Sequence, residues 1–161
     1  MSQDFSGLIG LELKGTTFKV KKKKLIEFAK SIGAKQPEFL DENDPIAHPA
    51  YANAYVFPAL MKINDAKLPD GSALIKNPLK ILHGGQGYSF PKGAPPVKDG
   101  DKIRTIPKIK NIEIKASNKM MLITVEATSK IDKSKDESKV GKTVCVSEIG
   151  IVVMPGGYWN G

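Results

Sequence analysis

Apolar positions in the first part of the chain repeat with the period of an α-helix. Within residues 22–32 they fall at i, i+3, i+4 and i+7, which places them on one helical face, and Gly33 follows as a C-terminal stop. Residues 52–63 are apolar with little charge, a pattern typical of a helix surrounded by protein, and Pro58 is expected near its first turn. The pattern therefore predicts an amphipathic helix and, after an irregular excursion, a central buried helix.

Beyond residue 80 the pattern changes to that of β-strands. Ile109, Ile112 and Ile114 alternate with polar neighbours except for one slip, which predicts a bulge. Residues 132–139 are too polar for the core and should form a loop. Helices followed by antiparallel strands indicate the α+β class, in a single domain spanning residues 1–161. Segments rich in Val, Ile and Thr predict the later strands, at residues 80–90, 102–115, 119–131 and 142–154, and residues 16–20 predict a shorter first strand.

Composition narrows the classes of protein that the chain can belong to. The longest apolar runs fall short of the roughly 20 residues that a bilayer span needs, so no membrane association is expected. No secretory signal is visible, and the single cysteine, Cys145, excludes an internal disulfide framework, which together predict a cytoplasmic protein. The net charge of +8 suggests nucleic acid, but only Arg104 among the 25 basic residues is an arginine, and the lysine run 21–24 has no interleaved aromatic side chains. A solvated, lysine-rich surface that attracts anionic ligands is the preferred interpretation.

Short motifs follow the first helix in a fixed order. They are the stretch 31–42, the stretch 55–60, His83-Gly84-Gly85-Gln86, and Val97-Lys98-Asp99-Gly100-Asp101. In this order they resemble the MaoC-like hydratase/dehydratase family, specifically the branch related to the N-terminal MaoC-like dehydratase domain. The resemblance covers about residues 8–154 and leaves residues 155–161 as a tail that could fold back or extend. It implies the hotdog fold, in which an antiparallel sheet of about five strands wraps around a central helix, and the periodicity predicts the same architecture.

The family's catalytic motif is incomplete in this chain. Hydration of an enoyl thioester needs a base to activate water and an acid to protonate the α-carbon. Active relatives carry D-x-N-P-x-H just after the first helix. Alignment on Gly33 and Pro37 puts Ala34 at the position of the Asp and Phe39 at that of the His, and neither side chain can transfer a proton. The chain therefore resembles the non-catalytic subunits of heterodimeric (R)-3-hydroxyacyl thioester dehydratases.

A second alignment register remains open. Residues 41–48 contain Asp, Asn, Pro and His in the family order, with insertions. In this register Asp44 would activate water and His48 would donate the proton. The structural alternative makes Asp44 an N-cap, with Pro45 in the first turn of a helix, and His48 a surface side chain. We favour the structural alternative.

The His83-Gly84-Gly85-Gln86 motif is the candidate substrate-binding segment. It matches the His-Gly-x-Gln that opens the second strand in many relatives. Glycines in a strand allow close approach, so an acyl chain or pantetheine arm could run beside Gly84 and Gly85, but the two glycines could equally fit a bulge against the central helix. His83 could line a cleft or make a structural hydrogen bond. No spacing suggests a metal site, and Cys145, in an apolar strand, is interpreted as a core residue rather than a nucleophile.

These observations lead to one expected function and two alternatives. We expect a protein that binds acyl thioesters and forms part of an (R)-specific enoyl thioester hydratase or 3-hydroxyacyl dehydratase. The substrate would be carried on coenzyme A or on acyl carrier protein, with no further cofactor. A single hotdog domain exposes a sheet edge and an apolar face, so the partner would be a second copy or a dyad-bearing hotdog protein. The alternatives are a self-sufficient hydratase that uses Asp44 and His48, and a non-enzymatic scaffold or nucleic-acid binder.

Overall fold

Five antiparallel strands and three helices make up the computed structural model, which describes residues 4–158. The strands are Thr16–Lys19 (β1), Ile81–Ser89 (β2), Lys102–Ile114 (β3), Met121–Lys133 (β4) and Thr143–Val153 (β5). The helices are Lys22–Ser31 (α1), Pro37–Leu40 (α2) and Ala52–Leu60 (α3), and short 3-10 turns include Pro49–Tyr51, Met61–Asp65 and Glu137–Lys139. The strands form one sheet in the spatial order β1-β3-β4-β5-β2. The sheet curls around α3, so the α+β hotdog architecture expected from the sequence is confirmed.

The core lies between α3 and the concave face of the sheet. Tyr55, Val56 and Ala59 of α3 are at most 3% exposed. Alternate residues of β4 face them, because successive side chains of a strand point to opposite faces. Pro58 lies near the end of α3 rather than in its first turn, so that expectation is wrong. The turn Pro49–Tyr51 leads directly into Ala52, which starts the helix six residues before the proline.

A bulge is present in β3 where the sequence predicts it. The register against β4 shifts between Ile109 and Asn111, which leaves Lys110 as the extra residue. This shift returns Ile112 toward the core side, where it packs against the buried cluster. The predicted slip in alternation is therefore confirmed as a bulge.

The connection between β4 and β5 is a largely exposed loop, as its polarity predicts, but one of its lysines is buried. Lys139 is only 7% exposed, and its Nζ lies 2.7 Å from Asp101 Oδ2. Asp101 is 1% exposed and also accepts hydrogen bonds from Ser134 Oγ at 2.6 Å and from the backbone N–H of Lys98 at 2.9 Å. A buried carboxylate is tolerated only with this kind of pairing. The polar loop is thereby attached to the start of β3.

The ends of α1 and the tail of the chain also depend on distant contacts. Asp99 Oδ1 accepts the backbone N–H of Lys22 at 2.8 Å, so a loop 77 residues away caps the helix. Gly33 ends the helix with a φ of 70°, as its type predicts. Tyr158 folds back and is 5% exposed, with its hydroxyl donating to the Lys119 carbonyl, while residues 159–161 of the tail lie outside the described residues. Within residues 4–158, no helix is both long and apolar enough to cross a membrane.

Candidate functional site

A bulge in β2 determines which of its side chains face the helix. The register against β5 shifts between His83 and Gly85. His83 lies opposite Ile151, and Gln86 lies opposite Ile149, and both partners are buried in the core. Cross-strand partners share one face of a sheet, so both side chains lie on the concave face although they are three residues apart. An unbroken strand would have turned one of them outward.

The concave face of β2 meets α3 in a chain of hydrogen-bonded side chains, which we call the edge cluster: Asn53, Gln86, Tyr88 and Ser147. The Tyr88 hydroxyl donates to Asn53 Oδ1, and the Gln86 amide donates to Tyr88 and, at 3.4 Å, to Ser147 Oγ. Ser147 Oγ donates to the Gly87 carbonyl at 3.1 Å. The edge cluster therefore connects the first turn of α3 to β2 and β5.

The chemistry of the edge cluster suits binding rather than proton transfer. Burial raises the pKa of Tyr88, so its hydroxyl remains neutral at physiological pH. The amides of Asn53 and Gln86 do not titrate. His83 lies beside the cluster, exposed, with its ring centroid 6.4 Å from that of Phe57 on α3. The four groups of the edge cluster can donate and accept hydrogen bonds but cannot exchange a proton near neutral pH.

Gly84 and Gly85 occupy different surroundings. A Cβ added to Gly84 would lie 3.0 Å from Val152 Cγ2 and 3.2 Å from the Gly150 carbonyl oxygen. The bulge is therefore present, but its close neighbour is β5 rather than the central helix, which corrects that part of the expectation. A Cβ on Gly85 would meet no atom within 4 Å. Gly85 is the glycine that leaves room for another molecule.

Both candidate registers of the catalytic motif lead to the same place in the structure. Phe39 of α2 is 9% exposed and packs edge-to-face on His48, with 4.8 Å between ring centroids. Ala34 follows Gly33 in the turn after α1, and its N–H bonds the Ala29 carbonyl at 3.0 Å. Phe39, which aligns with the family histidine in the first register, is thus in direct contact with His48, the proton donor of the second register.

Asp44 and His48 are engaged with different partners. The Nδ1 of His48 accepts the N–H of Ala50 at 3.1 Å and caps the turn Pro49–Tyr51, which puts the proton of a neutral ring on Nε2. Asp44 Oδ2 lies 2.5 Å from Lys98 Nζ, and the Asp44 side chain is 66% exposed. The expectation that Asp44 caps a helix at Pro45 is wrong, because no helix begins there and the next residue, Ile46, forms a β-bridge with Lys98. His48 provides the cap, one turn later.

Cys145 is fully buried in the core, as predicted, and burial raises the pKa of its thiol to about 11. Among residues 4–158, no group of three or more His, Cys, Asp or Glu side chains could hold a metal ion.

Comparison with known families decides the assignment. A family model described as "FAS1-like, dehydratase domain region" matches residues 7–138. The chain belongs to this dehydratase-domain family. The MaoC-like resemblance seen in the motifs is confirmed at this level. A comparison with curated proteins gives no match.

Solved structures of this dehydratase-domain class share the fold. A MaoC-like dehydratase from Rhodospirillum rubrum has a TM-score of 0.64 at 17% identity, over 95% of this chain and 97% of that chain. A chain of the HadBC 3R-hydroxyacyl-ACP dehydratase complex from Mycobacterium tuberculosis has a TM-score of 0.64 at 15% identity, over 90% and 96%. The (R)-hydratase from A. caviae has a TM-score of 0.53 at 16% identity, over 91% and 96%. At these identities the likeness establishes the fold.

Sequence reasoning missed part of the edge cluster. Gln86 was identified, but Asn53, Tyr88 and Ser147 were not. Tyr88 had a usable signal, since it lies two residues after Gln86 and must share its face of the strand. Asn53, a polar residue in an otherwise apolar helix, was the second signal. Ser147 is found only from the pairing of β2 with β5.

Proposed function

We propose that this protein is the substrate-binding, non-catalytic subunit of an (R)-specific enoyl thioester hydratase or 3-hydroxyacyl dehydratase, acting in the cytoplasm. The observation that carries the proposal is the pair Ala34 and Phe39 at the aligned dyad positions. Phe39 is buried against His48, so the position aligned with the family's proton donor holds an apolar ring. Catalysis would then require a dyad from another protomer.

The bonding of His48 supports the same conclusion. A general acid for this reaction must offer a proton to substrate while a carboxylate activates water. The Nδ1 of His48 accepts a backbone N–H, and Asp44 pairs with Lys98 in an exposed position. Use of this pair for catalysis would require Asp44 to leave Lys98 and approach the imidazole.

Substrate binding is proposed at the edge cluster and the adjoining glycines. The thioester carbonyl and the amides of a pantetheine arm need neutral hydrogen-bond partners, and Gln86, Tyr88 and Asn53 supply them. Gly85 adjoins Gln86 in the chain, and its open space lies on the opposite face of β2, because it pairs with Gly150. Tyr88→Phe should raise the KM for an enoyl thioester about two- to tenfold, the worth of one hydrogen bond, with little change in Tm. An unchanged KM would remove the edge cluster from the binding site.

Dimerisation is proposed through the β2 edge. β2 is last in the sheet order, so one side of its backbone has no neighbouring strand within the sheet. Phe57 of α3 and Met61, one turn further along the chain, are 45% and 48% exposed, and Leu82 of β2 is 54% exposed, so apolar surface lies on both sides of this edge. The HadBC protein, which shares the fold, is described as a complex. A dyad-bearing hotdog partner is the occupant we favour, and a second copy is the alternative.

A hydration assay tests the proposal directly. The purified chain alone should not accelerate loss of the enoyl absorbance of crotonyl-CoA, and addition of a hotdog protein with D-x-N-P-x-H should produce turnover. His48→Asn is the matched variant, because asparagine can still cap the turn Pro49–Tyr51 but cannot act as a general acid. We expect it to leave turnover of the complex unchanged.

The two alternatives predict different results in the same assay. Turnover by the chain alone, abolished by His48→Asn and by Asp44→Asn, would establish a self-sufficient hydratase. No affinity for acyl-CoA, together with steeply salt-dependent binding to a polyanion, would point to a scaffold or nucleic-acid binder.

A further inference from the structure

A groove between β1 and α1 combines aromatic and cationic side chains. We call it the lysine groove and define it by Phe18, Lys19, Lys21, Lys24, Phe28 and Tyr51. Its volume is about 610 Å³, within the roughly 300–1,000 Å³ of typical small-molecule sites. It lies outside the edge cluster, and neither the family motifs nor the proposed catalytic chemistry uses it.

The floor of the lysine groove is a group of three rings. Tyr51 packs edge-to-face against Phe28 and Phe18, with 5.4 Å and 6.2 Å between ring centroids. Tyr51 is 3% exposed, yet its hydroxyl has no hydrogen-bond partner among residues 4–158, although it lines the groove. The hydroxyl is not among the buried side-chain atoms that lack a partner, so it is accessible and gives the groove one unused hydrogen-bond donor above an apolar floor.

The rim of the lysine groove is positively charged. Lys19 and Lys21 are exposed and form no ion pair within residues 4–158. Lys24 is bonded to Glu27, with 2.8 Å between Nζ and Oε2, so one carboxylate also lines the groove. Lys22 and Lys23 lie between Lys21 and Lys24 in the chain and keep the local charge positive. The electrostatic potential of the groove therefore favours an anionic ligand, although the Glu27 carboxylate makes that potential less positive.

Planar rings below a cationic rim match a purine nucleotide that carries phosphates. A base can stack on Phe18 or Phe28, phosphates can pair with the lysines, and the Tyr51 hydroxyl can donate to a ring nitrogen or an oxygen. Building on the proposed function, we propose that the lysine groove binds the 3′-phospho-ADP end of a coenzyme A thioester. The acyl carrier is then coenzyme A. An acidic carrier protein would use the lysines but would have no need of a recessed aromatic floor.

The lysine groove and the edge cluster lie at the two edges of the sheet, β1 and β2, on either side of the start of α3. Ala54 lines the groove, and Asn53, the preceding residue of α3, belongs to the edge cluster. Successive residues of a helix point about 100° apart, so the two sites flank the same helical turn. A pantetheine arm that passes around the start of α3 would join them.

Titration of the full chain with 3′-phosphoadenosine 5′-phosphate tests the groove without any need for turnover. Isothermal calorimetry should detect binding, and Lys21→Gln with Lys24→Gln should raise the Kd about tenfold or more. Tyr51→Phe should raise it about threefold. Glu27→Gln should lower it, because the repelling carboxylate is gone.

The matched control removes two lysines from the outer face of the sheet, Lys108→Gln with Lys130→Gln, where another recess contains both. Its Kd should equal that of the unmodified chain. If the control raised the Kd as much as Lys21→Gln with Lys24→Gln, net charge alone would explain the loss of affinity, and the proposal would be overturned. Absence of nucleotide binding, with an acidic carrier protein bound through Lys21 and Lys24 instead, would also overturn it. Nucleotide binding with no hydration by any complex would leave the groove intact and refute only the proposed function.

Discussion

Replacement of Lys139 by methionine should destabilise the fold far more than the same replacement at Lys135. Both lysines lie in or beside the connection between β4 and β5, and both pair with an aspartate that precedes β3. The Lys139 and Asp101 side chains are 8% and 2% exposed, whereas those of Lys135 and Asp99 are 77% and 42% exposed. The two substitutions therefore compare a buried ion pair with a solvated one in the same region.

The expected magnitudes differ several-fold. Loss of one partner from a buried pair leaves an uncompensated charge and costs about 3–5 kcal/mol. Loss of an exposed pair costs about 0–1 kcal/mol. For a domain of this size each kcal/mol lowers Tm by about 2–4 °C, so Lys139→Met should lower Tm by roughly 6–20 °C and Lys135→Met by at most about 4 °C.

Thermal denaturation followed by circular dichroism measures both values. Addition of Asp101→Asn to Lys139→Met should recover part of the loss, because the second substitution removes the charge that the first leaves unpaired. Equal Tm values for the two lysine variants, or a double variant that loses the full sum of both effects, would refute the view that the buried pair holds the loop.

Three further outcomes are expected. Gly84→Ala should cost about 1–3 kcal/mol, because its Cβ would crowd β5, whereas Gly85→Ala should leave the unfolding midpoint unchanged. Hydrogen bonds from Lys135 and from the Lys22 backbone lower the pKa of Asp99, so its stabilisation is present above the ordinary aspartate pKa and disappears as pH falls through the lowered value. The free energy of unfolding of Asp99→Asn, measured by urea titration, should therefore fall less steeply near pH 3 than that of the unmodified chain. Equal slopes for the two proteins would contradict this role of Asp99. Because the raised thiol pKa keeps Cys145 protonated and buried, native protein should resist iodoacetamide at pH 8, with full reaction only after unfolding.

Local sequence signals account for most of the fold. The period of α1, its glycine stop, the five strand segments and the slip at Ile109 are all short-range patterns, and each appears in the structure within a few residues. The proposed placement of Ala34 and Phe39 at the dyad positions likewise rests on the sequence alone. The placement of Pro58 in α3 was wrong because the preceding turn, rather than the proline, sets the start of the helix.

The candidate site depended on contacts between residues far apart in the chain. Asn53 and Tyr88 are 35 residues apart, and Gln86 and Ser147 are 61 apart, so only the pairing of β2 with β5 and the packing of α3 bring them together. The same is true of Lys139, whose burial depends on a carboxylate 38 residues away.

The sequence by itself determined the class of fold and the family, because propensity, periodicity and residue type act locally. The tertiary structure alone decided where polar side chains are buried and which of them meet. The bulge at Gly84 is the clearest example, since it turns His83 and Gln86 to one face through a backbone contact with β5 that no local pattern specifies.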